Sequence, residues 1–181
     1  MYGIVNVALE QMVIDTYGQN KWEEALLKSG TGITHFEVDK LYDDEVTYLL
    51  IASVAEVLEI HIHKVMNMFG EWWILKVGKG KHAKLMASGG ASLKEFLINL
   101  PTFHSKVILI YVEMFAPQFT VTNIEANSIL IHYHSNRRSL TEFVRGLLVG
   151  LGKMFNVPVS VILLSSKNEG ADHDTFRVSW N

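Results

Sequence analysis

The sequence predicts an α+β fold: an N-terminal helical subdomain packed on a C-terminal subdomain with a four-stranded antiparallel sheet and helices. Three observations carry this reading. Apolar residues recur at helical spacing through the first half of the chain. From Phe119 onward the period changes to that of strands, with one helix intervening. No internal repeat or low-complexity tract breaks the 181 residues, which suit one domain of ordinary size. The helical part is expected over about residues 1–60 and the α+β part over about 61–181.

Ile4, Val5, Ala8, Leu9, Met12 and Val13 form one apolar face of a helix over 2–17, stopped near Gly18. A second helix fits Trp22–Leu27 and ends before Gly30 and Gly32. An irregular stretch through Phe36 and Val38 follows. Asp43 and Asp44 suit the start of a third helix, whose core face would be Val46, Leu49, Leu50, Val54 and Val57. A fourth runs from about His61 to Gly70 with Val65, Met66 and Phe69 inward. Trp72, Trp73, Ile74 and Leu75 are bulky neighbours and predict deep burial. Lys76 to Lys84 carries four lysines among glycines and reads as a solvated loop. It lacks the Gly-Lys-Ser/Thr order of a phosphate-binding loop.

Ser92-Leu93-Lys94-Glu95 matches a capping box and opens a short helix, Leu93–Asn99. Pro101 then separates it from a second helix bearing His104. Residues 119–124 and 129–135 read as a strand pair across the turn Glu125-Ala126-Asn127. Ser139-Leu140-Thr141-Glu142 is a second capping box. Its helix would bury Leu140, Phe143, Val144, Leu147, Leu148 and Leu151. Val159–Leu164 and Thr175–Trp180 complete the sheet.

Composition narrows the function. The net charge of −3 offers no basic field for nucleic acid. The absence of cysteine excludes disulfides, thiolate metal sites, iron–sulfur clusters and cysteine nucleophiles. No apolar run reaches the roughly 18 residues that span a bilayer. The first residues lack the basic region and cleavage site of a signal peptide, so a cytoplasmic location without membrane insertion is expected.

Two stretches carry chemistry. His104, Val107, Ile108 and Tyr111 share one helical stripe, apolar except for the imidazole. Such a histidine is either hydrogen-bonded in the core or an axial ligand to a metal or haem. Tyr133, Ser135 and Arg137 alternate, so an extended chain points a phenol, a hydroxyl and a guanidinium the same way. They are either a polar face on an edge strand or a clamp for a carboxylate or phosphate. An imidazole ligand and a carboxylate clamp together are what a buried haem needs.

At these residues the chain resembles the H-NOX family, the haem-dependent nitric oxide/oxygen-binding domains. Animal relatives form the N-terminal sensor region of the soluble guanylate cyclase β subunit. The resemblance extends from the opening Met-Tyr-Gly-Ile-Val-Asn through Tyr42-Asp43-Asp44, Met68-Phe69-Gly70-Glu71 and Phe96-Leu97-Ile98-Asn99-Leu100. It continues through Ala116-Pro117-Gln118-Phe119, Tyr133-His134-Ser135-Asn136-Arg137 and Asp172-His173-Asp174-Thr175-Phe176. It implies haem b buried between the two parts, with His104 as proximal iron ligand. Tyr133, Ser135 and Arg137 would hold the propionates. Pro117 would press on the porphyrin, and Val5 and Leu147 would pack against it.

The resemblance also implies a distal pocket. In the oxygen-binding branch a tyrosine donates to bound O₂, and matching Gly146 to the family glycine puts Phe143 at that position. A phenyl ring cannot donate, so a ferrous haem that binds NO and CO and excludes O₂ is expected. Trp73 matches a second distal position. It either offers its indole N–H or fills the core. The implied mechanism is cleavage of the iron–His104 bond and haem relaxation, read by a partner. The resemblance implies a separate reader, since stand-alone members usually act on a separate histidine kinase or cyclic-di-GMP enzyme.

The domain carries no recognisable catalytic group and is not expected to be an enzyme. A serine hydrolase would want a Gly-x-Ser-x-Gly elbow, which is absent. A haem peroxidase would want a distal histidine and arginine. The alternatives are an O₂-binding H-NOX and a haem-free interaction module of the same fold. Asp172-His173-Asp174 reads as a turn, and without cysteine no zinc is expected there. His132 and His134 lie on the strand face opposite Tyr133 and are expected to meet solvent or a neighbour.

Overall fold

The computed structural model describes residues 1–78, 80, 82–110, 117–137 and 139–181. Tyr111 of the predicted His104 stripe, and Ala116, lie outside them. The chain forms two compact units, Met1–Phe69 and Gly70–Asn181.

The first unit is helical: α1 (Gly3–Tyr17), α2 (Gln19–Lys28), α3 (Asp44–Val57) and the opening of α4 (Ile62–Trp72). Its core takes Leu9, Met12 and Val13 from α1, Trp22 from α2, and Leu50 and Val54 from α3. Asn6 and Thr47 are both buried, and Thr47 Oγ1 donates to Asn6 Oδ1 at 2.7 Å, which leaves the Asn6 amide nitrogen without a partner among the described residues. The α3 face is rotated from the expected one. Leu49 is 40% exposed, and the buried stripe is Thr47, Leu50, Ile51, Val54 and Val57. Asp43 makes no side-chain cap, and Asp44 instead takes the N-terminal ammonium at 2.7 Å.

The second unit holds a four-stranded antiparallel sheet, ordered β1-β2-β4-β3. The strands are β1 (Gln118–Thr122), β2 (Ser128–His134), β3 (Val159–Ser165) and β4 (Asp174–Trp180). Phe119 pairs with Tyr133, and Tyr133 with Asp174. On β2, Ile129, Ile131 and Tyr133 are buried while the alternate residues are not, the period of a sheet with one face on the core. α7 (Thr141–Met154) buries Val144, Leu148 and Leu151 in the same core.

Local sequence rules give way to packing at four places. First, α6 is one helix, Leu93–Ile110, running through Pro101, where two were expected. Proline inside a helix costs about 3 kcal/mol. Leu93, Phe96, Leu97 and Leu100 are all buried on one stripe that runs on to His104, and Pro101 stands off it. Continuity of that stripe outweighs the proline. Half of the capping box at its start forms, with Glu95 N donating to Ser92 Oγ at 3.2 Å, while Glu95 Oε2 accepts from Ala91 N at 2.7 Å, one residue before the cap.

Second, of Trp72, Trp73, Ile74 and Leu75 only Ile74 is buried. Four successive helical residues point around the whole circumference and cannot share one face. Third, the loop expected over Lys76–Lys84 is entered by a π-helical turn, Trp73–Gly78, and left by α5 (Ala83–Ala87). Fourth, the box at Ser139 does not form. Ser139 has φ of +62°, the cap position falls to Leu140, and no side chain caps α7. Among the described residues no single helix is long and apolar enough to cross a membrane.

Candidate functional site

His104 lies on α6, one turn past Pro101. Its Nδ1 is shut off from solvent and has no hydrogen-bond partner among the described residues. That is uncommon, because buried polar atoms are nearly always paired. The carbonyl partner of an ordinary core histidine is missing. Burial pushes the imidazole down to about 4, so the ring is neutral at pH 7 and its nitrogen lone pair is free to bind a metal.

A chain of rings joins His104 to the second stretch. His104 meets Phe119 edge-on with centroids 5.0 Å apart, and Phe119 meets Tyr133 at 5.2 Å. Tyr133, Ser135 and Arg137 then line one small, open cleft. The triplet is gathered as expected, although not by a straight strand. β2 ends at His134, and Asn136 and Arg137 form a bend in which Arg137 N donates to Ser135 Oγ at 3.0 Å. A hydroxyl accepting two residues on is the usual turn chemistry of serine.

The other walls of the cleft are Ser139, Leu140, Thr141, Lys167, Asn168 and Asp174. Lys167 Nζ donates to the Ser135 carbonyl at 2.6 Å and brings a second cation beside Arg137. Asp174 is buried, with Thr141 Oγ1 and Lys167 N both donating to it at 2.7 Å. It ties the start of α7 to the segment after β3. Asp174→Ala would strand those donors and is expected to lower stability by about 3 kcal/mol, read as a shifted midpoint in urea unfolding.

Trp73 and Phe143 meet edge-on at 6.3 Å. The helices here approach closely: a Cβ on Gly70 would sit 2.1 Å from the Phe143 carbonyl oxygen. Leu147, on the same helix, is half-buried, as is Pro117 beside β1. Val5 is half-buried on α1 in the N-terminal unit. The indole nitrogen of Trp72 is buried and has no partner among the described residues. The sequence reading passed over it because bulk alone suggested core.

The residues present fit a haem. A neutral imidazole with an orphaned nitrogen can ligate iron, and a cleft with a phenol, a hydroxyl and two cations can take carboxylates.

Solved structures place the fold in a class. An H-NOX protein from S. oneidensis in the Fe(II) state superposes with a TM-score of 0.90 at 24% identity, covering 100% of this chain and 96% of that one. An unliganded Fe(II) H-NOX protein variant from K. algicida gives 0.86 at 21% identity, covering 100% and 97%. The fold is that of the H-NOX proteins. The family profile described as Haem-NO-binding matches residues 2–163. The chain belongs to this haem-NO-binding family and is a haem-binding gas-sensor domain related to soluble guanylate cyclase.

Among curated relatives, soluble guanylate cyclase gcy-34 of Caenorhabditis elegans is 27% identical over 168 residues, covering 90% of this chain and 24% of that protein. Guanylate cyclase soluble subunit beta-2 of Rattus norvegicus is 30% identical over 106 residues, covering 58% and 16%. The chain thus spans about a quarter of the length of the first of these. The matching portion is the sensor, which is not itself catalytic.

Proposed function

We propose that this domain senses NO, and binds CO, at a ferrous haem b held by His104, and that it excludes O₂. The observation that supports this reading most is the buried, unpartnered Nδ1 of a neutral His104. Bound haem would supply a ferrous iron for the gas. His104 would hold the iron and, on release, pass the change to α6. Tyr133, Ser135 and Arg137 would hold the propionates, with Pro117, Val5 and Leu147 against the porphyrin. The haem-binding part would begin near residue 61.

Phe143 supports the choice of gas. O₂ would draw negative charge and gain from a hydrogen-bond donor, while NO and CO would depend on one much less. A phenyl ring offers none. The second reading, an O₂-binding domain, draws on Trp73, whose ring meets Phe143 and carries the indole N–H that a phenyl ring lacks. A separate histidine kinase or cyclic-di-GMP enzyme would read the signal. The guanylate cyclase relatives support a cyclase as the other candidate reader.

The deciding experiment is the absorption spectrum of the reduced protein without air, with air, and with NO. A haem band that ignores air and shifts with NO is the expected result. A stable change in air would overturn the gas assignment. No haem band after reconstitution would overturn the sensor reading in favour of a haem-free interaction module. For the clamp, Arg137→Ala removes a charge-assisted bond of about 1.5–3 kcal/mol. Haem should leave this variant roughly ten- to a hundredfold faster, measured by transfer to an apo-globin acceptor. An unchanged rate would take Arg137 out of the site.

A further inference from the structure

We propose that His134, Asp172 and His173 form a binding site for one divalent cation of the zinc class, with His132 as the residue that positions it. The site lies on the strand face opposite Tyr133 and is independent of the haem reading.

The sheet assembles it. His132 and His134 alternate on β2, so both leave the strand on the face away from the buried Tyr133. The segment entering β4 then brings Asp172 and His173 alongside. One ligand atom from each of His134, Asp172 and His173 falls within 4.8 Å of the others. The His134 and His173 rings overlap with centroids 4.1 Å apart.

His132 has no nitrogen to spare. Its Nε2 meets Thr122 Oγ1 at 2.7 Å, and its Nδ1 meets His173 Nε2 at 3.0 Å and Thr175 Oγ1 at 3.3 Å. It therefore fixes the His173 ring by one nitrogen and leaves the other to act. That other atom, His173 Nδ1, is buried with no hydrogen-bond partner among the described residues. Its nearest carboxylate oxygen, Asp172 Oδ2, stands 3.8 Å away, too far for a hydrogen bond. A ring pinned by a hydrogen bond on one nitrogen and open on the other is how metal-binding histidines are held.

The ligand chemistry selects the ion. Two imidazoles and one carboxylate suit zinc and its neighbours, whereas magnesium and calcium want oxygen alone. Donors around a tetrahedral zinc sit roughly 3.4 Å apart. Asp172 can close the difference, because its side chain is 99% exposed and free to swing. Three protein ligands leave the fourth position to water. In a chain without cysteine, the histidines that β2 and the β4 entry bring together supply the nitrogen ligands.

The test is equilibrium dialysis of the full haem-loaded chain against Zn²⁺, with elemental analysis and chelator competition. One zinc per chain beyond the iron is expected. Asp172→Asn, on a fully exposed side chain, should weaken zinc at least tenfold without touching the fold. His173→Ala should abolish tight binding. His132→Ala should weaken it about 10–100-fold, and His132→Asn, which keeps a polar atom near the Nδ1 position, should recover most of that loss. Cobalt substituted for zinc should show tetrahedral visible bands that His173→Ala removes, while the haem spectrum stays unchanged. The exposed pair His61 and His63, with rings 4.6 Å apart, serves as control. Failure to retain zinc, unchanged affinity in Asp172→Asn and His173→Ala, or equal loss in a His61→Ala/His63→Ala variant would overturn the site.

Discussion

His104→Gly is expected to abolish the ferrous haem spectrum of the wild type, and free imidazole is expected to restore it. The structure explains why the ring can be removed cleanly. Its Nδ1 bonds to nothing among the described residues, so its loss strands no donor or acceptor. What goes is the edge-on contact with Phe119 at 5.0 Å. Lost packing and a glycine inside α6 together cost about 2–4 kcal/mol, which a domain of ordinary stability survives in part. The space left has the shape of an imidazole, so the free base can take it. The measurement is the reduced absorption spectrum with and without added imidazole. A variant that matches wild type without imidazole would show that another residue ligates the iron.

The same site shows what a sequence can and cannot announce. His104 stood out because it is the polar member of an apolar stripe, and stripes are local. Tyr133, Ser135 and Arg137 stood out because they are close together. Their grouping was right, but the reason was partly wrong, since a serine turn carries Arg137 into the cleft where a strand was expected. Lys167 and Asp174 were not legible as walls of that cleft. They come after β3 in the chain, and the pairing of Asp174 with Tyr133 across β2 and β4 brings them to the cleft. Periodicity carries no information about such partners.

The errors share a cause. Pro101 and the Ser139 box are strong local signals, worth about 1–3 kcal/mol each. A buried stripe of Leu93, Phe96, Leu97 and Leu100 outweighs the first. At the second, Thr141 donates its hydroxyl to Asp174, and Glu142 pairs with Arg145 at 3.0 Å, leaving no box to form. The His132, His134 and His173 cluster was missed for the opposite reason. Each histidine looks like a surface residue alone, and only the sheet makes them neighbours.

Gly70→Ala is expected to be the most damaging single-methyl addition in the C-terminal unit. A Cβ there would lie 2.1 Å from the Phe143 carbonyl oxygen, 2.7 Å from Leu147 N and 3.0 Å from the Gly146 carbonyl carbon. All three are backbone atoms, so no side chain can turn aside. α4 and α7 would have to part, and the core behind them with them. Gly150, whose Cβ would meet Ile74 at 2.9 Å, tightens the same seam one turn along. Overpacking of a close-packed interior costs typically 1–3 kcal/mol. Contacts fixed on both sides by backbone put this case at about 3 kcal/mol or more. Chemical denaturation gives the number, and a loss under about 1 kcal/mol would mean the seam is looser than it stands here. The change also reaches the candidate distal pocket, because Phe143 supplies both the clashing carbonyl and the ring that meets Trp73. A folded fraction of the variant should therefore show altered CO recombination, while the His104 face, set by α6 and β1, keeps its ferrous spectrum.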